Sequence, residues 1–217
     1  MQAPPEYNPP TDTIEIIFQD DDLVVVNKPP GLLSVPGKSA DLADCLQKRI
    51  RDQFHDTHLV HRLDMDTSGL MVFARKKRAQ RDLNAQFEKR SVDKTYIALV
   101  SGIVNQDKGT IDHPLRTDWP NRPLQMVADD GKPATTYWQV LERRRNDTRV
   151  SLKPKTGRTH QLRVHMKSLG HPILGDRFYA EPRTLVDYPR LYLHAAKLSF
   201  QHPSTGKIVS FDVPAAF

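Results

Sequence analysis

One short segment of the sequence concentrates side chains that can do chemistry. Residues 61–70 read His-Arg-Leu-Asp-Met-Asp-Thr-Ser-Gly-Leu, which places a histidine, an arginine, two carboxylates and two hydroxyls between apolar stretches. A carboxylate such as Asp64 can act as a nucleophile or as a general base. Because Asp, Thr, Ser and Gly are also favoured turn residues, composition alone leaves a hydrogen-bonded structural turn as an alternative.

Phosphate-loop and metal chemistry fit the sequence poorly. The clustered glycines and the Lys-Ser/Thr ending of a phosphate-binding loop are absent from the chain. His55, His58 and His61 are spaced three apart, but His61 falls in a predicted strand, so the three imidazoles need not share a face. We therefore expect no metal site.

Two further nucleophile chemistries are also disfavoured. Ser68 lacks the sharp strand-to-helix elbow on which serine hydrolases present their nucleophile. Asp64-Met65-Asp66 superficially matches the aspartate pair of haloacid-dehalogenase phosphatases. However, His61 and Arg62 interrupt the apolar strand that should precede such a pair, and no downstream acidic pair suggests a magnesium site.

The elements that must position residues 61–70 follow from hydrophobic patterning. Helices are predicted at 41–54, capped by Asp41, at 76–90, and at 160–169, ended by Gly170. A loop is predicted at 118–130. Strands are predicted at residues 14–18, 23–27, 59–63, 70–74, 95–101, 110–111, 135–142, 148–153, 191–200 and 207–213. Few helices without regular βαβ alternation indicate an α+β fold, built on a mixed, largely antiparallel sheet with flanking helices.

Length and composition set the outer limits of this fold. The 217 residues suit one compact domain over residues 14–217, preceded by a proline-rich N-terminal arm over residues 1–13. The longest apolar runs, at 23–26 and 70–74, fall far short of the roughly 18 residues that a membrane span needs. A single cysteine, Cys45, excludes an intramolecular disulfide and is expected to be a core residue. We therefore expect a soluble, cytoplasmic protein that is not associated with membranes.

The basic residues are unevenly distributed along the chain. The formal net charge is +6, yet residues 143–167 alone carry nine basic side chains against one acid, and residues 75–81 carry five basic side chains and no acid. Such segments are typical of proteins that bind phosphate backbones. The distribution predicts a nucleic-acid partner, with the run Arg143–Arg145 among its contacts.

Residues 61–70 resemble the His-Arg-Leu-Asp and Thr-Ser-Gly-Leu signature of the RluA family of pseudouridine synthases. The resemblance extends over nearly the whole chain, through further blocks at residues 23–37, 94–96, 156–165, 171–176 and 191–195. It implies the pseudouridine synthase fold, with a central catalytic cleft. It also implies conversion of specific uridines in structured RNA to pseudouridine by base flipping, with no cofactor. The short form of the chain and its loop at 118–123 resemble the subgroup that acts on 23S rRNA and on the tRNA anticodon stem-loop.

The resemblance also assigns roles to individual residues. Asp64 matches the essential aspartate, and Arg163 is the candidate ion-pair partner of that carboxylate. Tyr96 matches the tyrosine that stacks on the target uracil. Arg62 is the candidate to occupy the space that the flipped base leaves, and Leu193 or Leu191 is expected to form an apolar floor.

We expect a monomer without an obligate protein partner. Relatives of this family commonly carry an extra N-terminal RNA-binding domain, and because this sequence begins directly with the catalytic blocks we expect none here. The alternative hypothesis is a non-catalytic RNA-binding or ribosome-assembly factor that uses the same basic surface. Retention of the reactive aspartate favours the enzyme.

Overall fold

The computed structural model describes residues 7–217, and residues 1–6 lie outside the described part. Its α-helices are α1 (Leu46–Phe54), α2 (Lys77–Glu88) and α3 (Gln161–Ser168). Its strands are β1 (Glu15–Gln19), β2 (Leu23–Lys28), β3 (His58–Leu59), β4 (Ser68–Ala74), β5 (Asp93–Ser101), β6 (Lys108–Ile111), β7 (Leu115–Thr117), β8 (Gln125–Val127), β9 (Thr136–Arg143), β10 (Asp147–Pro154), β11 (Leu193–Gln201) and β12 (Ile208–Asp212). The α+β class predicted from the sequence is confirmed.

Ten of the strands form one mixed sheet. The main path runs β1-β2-β4-β11-β5-β10-β9-β6, with β3 paired to β4 and β12 paired to β11. Neighbours are antiparallel except β4 and β11, which run parallel and touch through Ser68 with His194 and Gly69 with Ala195. β7 and β8 form a separate antiparallel hairpin.

The short parallel contact between β4 and β11 is the seam between the two halves of the sheet. Gly69 makes it possible, because a Cβ on Gly69 would lie 2.4 Å from the carbonyl oxygen of Ala195. Gly69 also has φ of +113°, a region that other residues rarely adopt. The segment that carries Asp64 leads directly into this seam.

Helices cover both faces of the N-terminal half of the sheet. Leu46 and Ile50 of α1 pack on one face, whereas Ala79 and Leu83 of α2 pack on the other. Strands β2 and β4 therefore bury side chains of both orientations, which explains why the sequence shows continuous apolar runs there rather than alternation.

A single helix covers one face of the C-terminal half. Leu162 and Met166 of α3 pack with the inward side chains of β5, β9 and β10, Trp138 among them. The opposite face of β9 is open, and Tyr137 and Leu141 are exposed there. This alternation is the pattern expected of an antiparallel sheet with one solvated face.

The predicted helix at 41–54 begins later than its hydrophobic spacing suggested. Residues Ala40–Leu42 form a separate 3-10 turn, and Cys45, not Asp41, caps α1 by accepting a hydrogen bond from the backbone N–H of Lys48 at 3.4 Å. A tertiary contact fixes this start, because the N–H of Leu46 donates to the carbonyl oxygen of Leu33 at 2.8 Å. Cys45 is fully buried, as expected.

Two other predicted elements differ from the structure. The strand predicted at 59–63 is only two residues long, His58–Leu59. Beyond Leu59, the N–H of Val72 in β4 donates to the imidazole of His61 at 3.1 Å and not to a backbone carbonyl, so the strand pairing ends there. The predicted loop at 118–130 contains β8, which pairs with β7 in the separate hairpin.

The described part of the proline-rich segment has no regular secondary structure. Residues 1–6 of the predicted arm lie outside the described residues. Tyr7 is held on the domain, since its hydroxyl donates to the carbonyl oxygen of Asp44 and accepts from the N–H of Leu33. Across residues 7–217, no helix combines the length and the apolarity needed to cross a membrane.

Candidate active site

Asp64 lies on a turn that is fastened from several sides. The Ser34 hydroxyl donates to the carbonyl oxygen of Leu63 at 2.6 Å and accepts from the N–H of the same residue at 3.2 Å. The N–H of Thr67 donates to the carbonyl oxygen of Asp64 at 3.1 Å and closes the turn. The backbone around Asp64 is thereby held before any substrate arrives.

Lys28 supports the same turn from below. Its ammonium group is completely buried and donates to the carbonyl oxygens of Leu32 and Met65 at 2.7 Å and of Pro29 at 2.9 Å. Three carbonyls match the three N–H donors of an ammonium group. Burial lowers the pKa of Lys28 to about 7, which the charges of Asp66 and Asp64 partly oppose.

A buried ion-pair chain joins Asp64 to α3. Arg163 donates from Nη1 to Oδ2 of Asp64 at 3.1 Å, and from Nε and Nη2 to both oxygens of Asp176 at 2.7 Å. The side chains of Arg163 and Asp176 are 3% and 0% exposed, respectively, whereas that of Asp64 is 26% exposed. Asp64 is therefore the end of the chain that a substrate can reach.

Asp176 and two aromatic rings fix the orientation of Arg163. Oδ1 of Asp176 also accepts from the backbone N–H groups of Phe178 and Tyr179 at 3.0 and 3.2 Å. The guanidinium lies 5.2 Å from the ring centroids of both aromatic residues. Burial lowers the pKa of Arg163, whereas the carboxylates of Asp176 and Asp64 raise it. The net result is a raised pKa, so the guanidinium stays charged at every working pH.

The five side chains predicted to form the site line one cleft at the seam of the sheet. They are Arg62, Asp64, Tyr96, Arg163 and Leu193. Leu191 is also buried, but it packs in the core of the C-terminal half and does not line this cleft.

Tyr96 and Leu193 form the apolar part of the cleft. Tyr96 projects from β5 and packs against the cores of both halves of the sheet. Burial, and to a smaller extent the charge of Asp64, raise the pKa of the Tyr96 hydroxyl, so the phenol stays protonated. Leu193 is 3% exposed at the start of β11. An aromatic ring and a buried leucine beside a carboxylate offer a surface on which a flipped base can pack.

Arg62 lies at the rim of the cleft and is exposed. Leu63, between it and Asp64, is buried, whereas the side chain of Asp64 is 26% exposed within the cleft. An exposed guanidinium at this position can reach nucleic acid outside the cleft, and the role of Arg62 beside the flipped base stays a prediction.

Several functional neighbours were not assigned from the sequence. Asp176, His160 and Tyr179 surround Arg163 and Asp64, and Lys94 lines the cleft. Asp176 and His160 lie inside the blocks that carried the family resemblance, which was the one available signal. No periodic pattern marks a carboxylate that pairs with an arginine 13 residues earlier.

His61, which the sequence left without a role, is a structural acceptor. Its ring stacks on Phe87 at 4.7 Å between centroids, and Nε2 accepts from the N–H of Val72 in the gap between β3 and β11. Burial, with a smaller effect of Lys94, lowers the pKa of His61 to about 3. His61 is thus neutral in the folded protein over most of the acidic range.

This histidine makes the fold sensitive to acid. Below pH about 6.5 the unfolded chain binds a proton at His61, whereas the folded chain does not until about pH 3. As the pH is lowered through this window, the free energy of unfolding should therefore fall by about 1.4 kcal/mol per pH unit because of this one group. His61→Gln keeps an acceptor oxygen but does not titrate. In this variant, the slope of the free energy of unfolding against pH, measured by urea unfolding between pH 6.5 and 3, should be smaller by the amount that corresponds to about one proton. Identical slopes for the two proteins would contradict this assignment.

His55, His58 and His61 do not converge on a metal-type site within residues 7–217. In this part of the chain, three potential ligands converge at Asp20, Asp22 and His202. Oδ1 of Asp20 already accepts from two backbone N–H groups, and Oδ2 lies 2.8 Å from Nε2 of His202. This group fastens the β1–β2 turn.

The basic run at Arg143–Arg145 lies away from the cleft. Arg143 pairs with Asp107 at 2.7 Å, and Arg144 pairs with Glu142 at 3.0 Å. The run precedes Asp147, the first residue of β10, whereas Pro154 at the other end of β10 lines the cleft. Seven residues of strand separate these ends by roughly 23 Å. Contact between this run and RNA stays a prediction, and Lys155 and Arg158, which lie at the cleft end, are further candidates nearer the site.

Comparisons with known proteins agree with this geometry. The family model described as RNA pseudouridylate synthase matches residues 22–168. A protein of Vibrio parahaemolyticus named dual-specificity RNA pseudouridine synthase RluA is 52% identical over 98% of this chain and 88% of its own length. The protein of the same name from Escherichia coli K12 is 50% identical over 97% of this chain and 98% of its own length.

A solved structure extends the comparison to the fold. Human RNA pseudouridylate synthase domain containing 1 superimposes with a TM-score of 0.78 and 34% identity, covering 99% of this chain and 86% of the human chain. The sequence blocks around Asp64, the matched family model and the shared architecture all lead to one assignment. The chain belongs to the RNA pseudouridylate synthase family.

Proposed function

We propose that this RNA pseudouridine synthase isomerises a uridine flipped out of a structured RNA, with Asp64 as its catalytic carboxylate. The family assignment supplies the reaction, which converts uridine in RNA to pseudouridine. The contact between Asp64 and buried Arg163, at the inner end of a cleft that also holds Tyr96, is the observation that supports this choice of site.

The reaction rearranges one nucleoside without adding or removing atoms overall. The bond between uracil N1 and ribose C1′ breaks, a bond between uracil C5 and C1′ forms, C5 loses its proton, and N1 gains one. Asp64 can take part by attacking the ribose, by adding to the uracil ring or by abstracting a ribose proton. Each of these roles requires an ionised carboxylate.

Arg163 supplies the positive charge that an ionised carboxylate needs in a dry cleft. An unpaired charge away from water is strongly disfavoured. Because Arg163 is buried and held by Asp176, its guanidinium keeps its place when a substrate displaces water from the cleft. We infer that Arg163 holds Asp64 in its reactive form and orientation.

Tyr96 and Leu193 bind the flipped base in this proposal. The ring of Tyr96 offers a stacking surface, and Leu193 offers an apolar floor. Exclusion of water protects the detached base and sugar from capture. The protonated hydroxyl of Tyr96 can donate to the uracil near the reacting carbon.

Arg62 stabilises the RNA after the base has left its stack. Extrusion of a base costs a few kcal/mol and is easiest in a loop. An exposed planar guanidinium beside the catalytic turn can fill the vacated space or hold the backbone. Stem-loops are for this reason the substrates that the site favours.

The substrates proposed for this chain are sites in 23S rRNA and in the tRNA anticodon stem-loop. Relatives about 50% identical over nearly the full length carry the words dual-specificity in their names. We further propose that residues 14–217 act as one catalytic domain, in a monomer, in the cytoplasm.

Release of tritium from RNA labelled at uridine C5 tests the proposed function, because C5 loses its hydrogen in the reaction. The purified protein should release tritium from a tRNA anticodon stem-loop and from a 23S rRNA stem-loop, but not from an unstructured RNA of equal composition. Release from one stem-loop alone would overturn the dual specificity. Release from neither would overturn the proposed substrates.

The cleft-end basic residues should carry part of the RNA affinity. Lys155 is exposed and Arg158 lines the cleft. Replacing both by glutamine should weaken stem-loop binding and reduce the slope of log K against log salt by about 1 to 2, because each lost phosphate contact removes about 0.7–0.9. Fluorescence anisotropy across a salt series measures the slope.

A charge-matched variant serves as the control. Arg144→Gln with Arg145→Gln removes the same charge from the far end of β10 and should change the salt slope less than the cleft-end variant does. If this control changed the slope as much as the cleft-end variant, net charge rather than position would account for binding.

A further inference from the structure

His160 is a polar side chain at the cleft that the proposed reaction has not used. It caps α3 with a left-handed backbone, φ of 54°, and its side chain is 9% exposed. Its Nε2 lies 3.9 Å from Oδ2 of Asp64. The ring of Phe178 stacks against it at 5.8 Å between centroids.

Tyr179 determines which nitrogen of His160 carries the proton. The Tyr179 hydroxyl lies 2.7 Å from Nδ1 of His160 and accepts from the backbone N–H of Gln125 at 2.8 Å. A backbone N–H can only donate, and among residues 7–217 Nδ1 of His160 is the one acceptor within hydrogen-bond distance of the phenolic O–H, so the O–H donates to Nδ1. The proton of a neutral His160 is then on Nε2, which faces Asp64.

The surroundings of His160 keep it neutral. Four charged groups face it, namely the side chains of Asp64, Arg163, Asp176 and Arg62. Burial is the largest effect and lowers the pKa of His160, while the acids and the arginines act in opposite directions. Burial also raises the pKa of Tyr179 to about 12, so its O–H is retained as a donor.

We propose that His160 is a positioning residue: its neutral Nε2–H lies 3.9 Å from Oδ2 of Asp64, beyond hydrogen-bond distance in the free protein, and closes on that oxygen when RNA binds, with Tyr179 fixing the tautomer. Arg163 and His160 both face Oδ2 of Asp64, so Oδ1 is the oxygen directed to the substrate. The contact from Gln125 to Tyr179 extends this arrangement to the β7–β8 hairpin. The inference rests on the proposed catalytic role of Asp64.

Two substitutions at His160 separate the donor from the side-chain volume. Asparagine tolerates the left-handed backbone at this position but is too short to reach Asp64. Glutamine places an amide N–H near the position of Nε2. With saturating enzyme in a single turnover, His160→Asn should lower the rate constant of tritium release about 10- to 100-fold, as expected for a lost hydrogen bond to a charged group. His160→Gln should recover most of that loss, and both variants should keep the RNA Kd within about two-fold.

Tyr179→Phe tests the tautomer without touching His160. Removing the O–H that donates to Nδ1 makes the imidazole easier to protonate. The imidazolium keeps its Nε2–H and adds a positive charge that favours the reactive form of the facing carboxylate, so the acidic limb of the single-turnover pH profile should move to lower pH, although the aromatic packing is retained. If His160→Asn is too unstable to assay, this shift decides the proposal.

The inference is overturned if His160→Asn reacts at the wild-type rate, if glutamine restores nothing, or if Tyr179→Phe leaves the pH profile unmoved. Asp64→Asn in the same assay separates this failure from failure of the proposed site. An active Asp64→Asn would overturn the role of Asp64 itself. An inactive Asp64→Asn beside a fully active His160→Asn would overturn only the role of His160.

Discussion

Asp64→Asn is expected to reduce pseudouridine formation at least about 10⁴-fold, since an amide can neither attack as a nucleophile nor accept a proton. The replacement has nearly the same shape, so the cleft should remain intact. RNA affinity should stay within a few fold, because phosphate contacts elsewhere supply most of it. Tritium release measures the reaction, and anisotropy with a labelled stem-loop measures the affinity.

Asp66 provides the matched control two residues away. Its carboxylate pairs with Arg177 at 2.7 Å and does not contact Arg163. Asp66→Asn removes the same charge from the same turn, and we expect its activity to stay within about five-fold of wild type, since Asp66 does not line the cleft that holds Tyr96 and Arg163. Full activity of Asp64→Asn would show that the carboxylate of Asp64 is not the reactive group, and equal inactivity of both variants would show that the loss reflects the charge of the turn and not the position of one carboxylate.

Arg163→Met is expected to have the largest effect on stability. It leaves the fully buried carboxylate of Asp176 without a cation and removes three hydrogen bonds to the two aspartates. Breaking one partner out of a buried pair typically costs about 3–5 kcal/mol in the free energy of unfolding. Activity should fall as well, because Asp64 loses its positive neighbour. Urea unfolding and tritium release measure the two effects.

A double variant separates stability from chemistry. Arg163→Met with Asp176→Asn removes the uncompensated buried charge, and asparagine keeps an oxygen for the backbone N–H groups of Phe178 and Tyr179. Stability should recover by about half or more, because replacing both members of a buried pair is far less costly than removing one. Activity should not recover. A double variant that is both stable and active would contradict the role of Arg163.

Local patterning was sufficient for most of the elements. Continuous apolar runs predicted β2 and β4, and the glycine at position 170 correctly predicted the end of α3. The predicted start of α1 was wrong, because the true start is fixed by a backbone hydrogen bond between Leu46 and Leu33. A contact between residues 13 positions apart leaves no signal in the local sequence pattern. The shortening of β3 has a similar cause, since the side chain of His61 takes over a backbone position.

The site was only partly predictable for the same physical reason. The family blocks supplied Asp64, Arg163 and Tyr96, whereas the seam that brings them together pairs Ser68 with His194, residues far apart in the sequence. The buried clamp of Asp176 on Arg163 depends on that packing. Charge counting along the chain could not tell Arg143–Arg145, at the far end of β10, from the basic residues nearer the cleft, since clustering in sequence carries no information about distance from the site.

A structure of the Asp64→Asn variant bound to an anticodon stem-loop tests the central claim most directly. We predict that the target uracil lies flipped out against Tyr96 and Leu193, with its ribose or ring about 3–3.5 Å from the side chain at position 64, as a reactive arrangement requires. A target base still stacked in the RNA, or bound away from this cleft, would contradict the account.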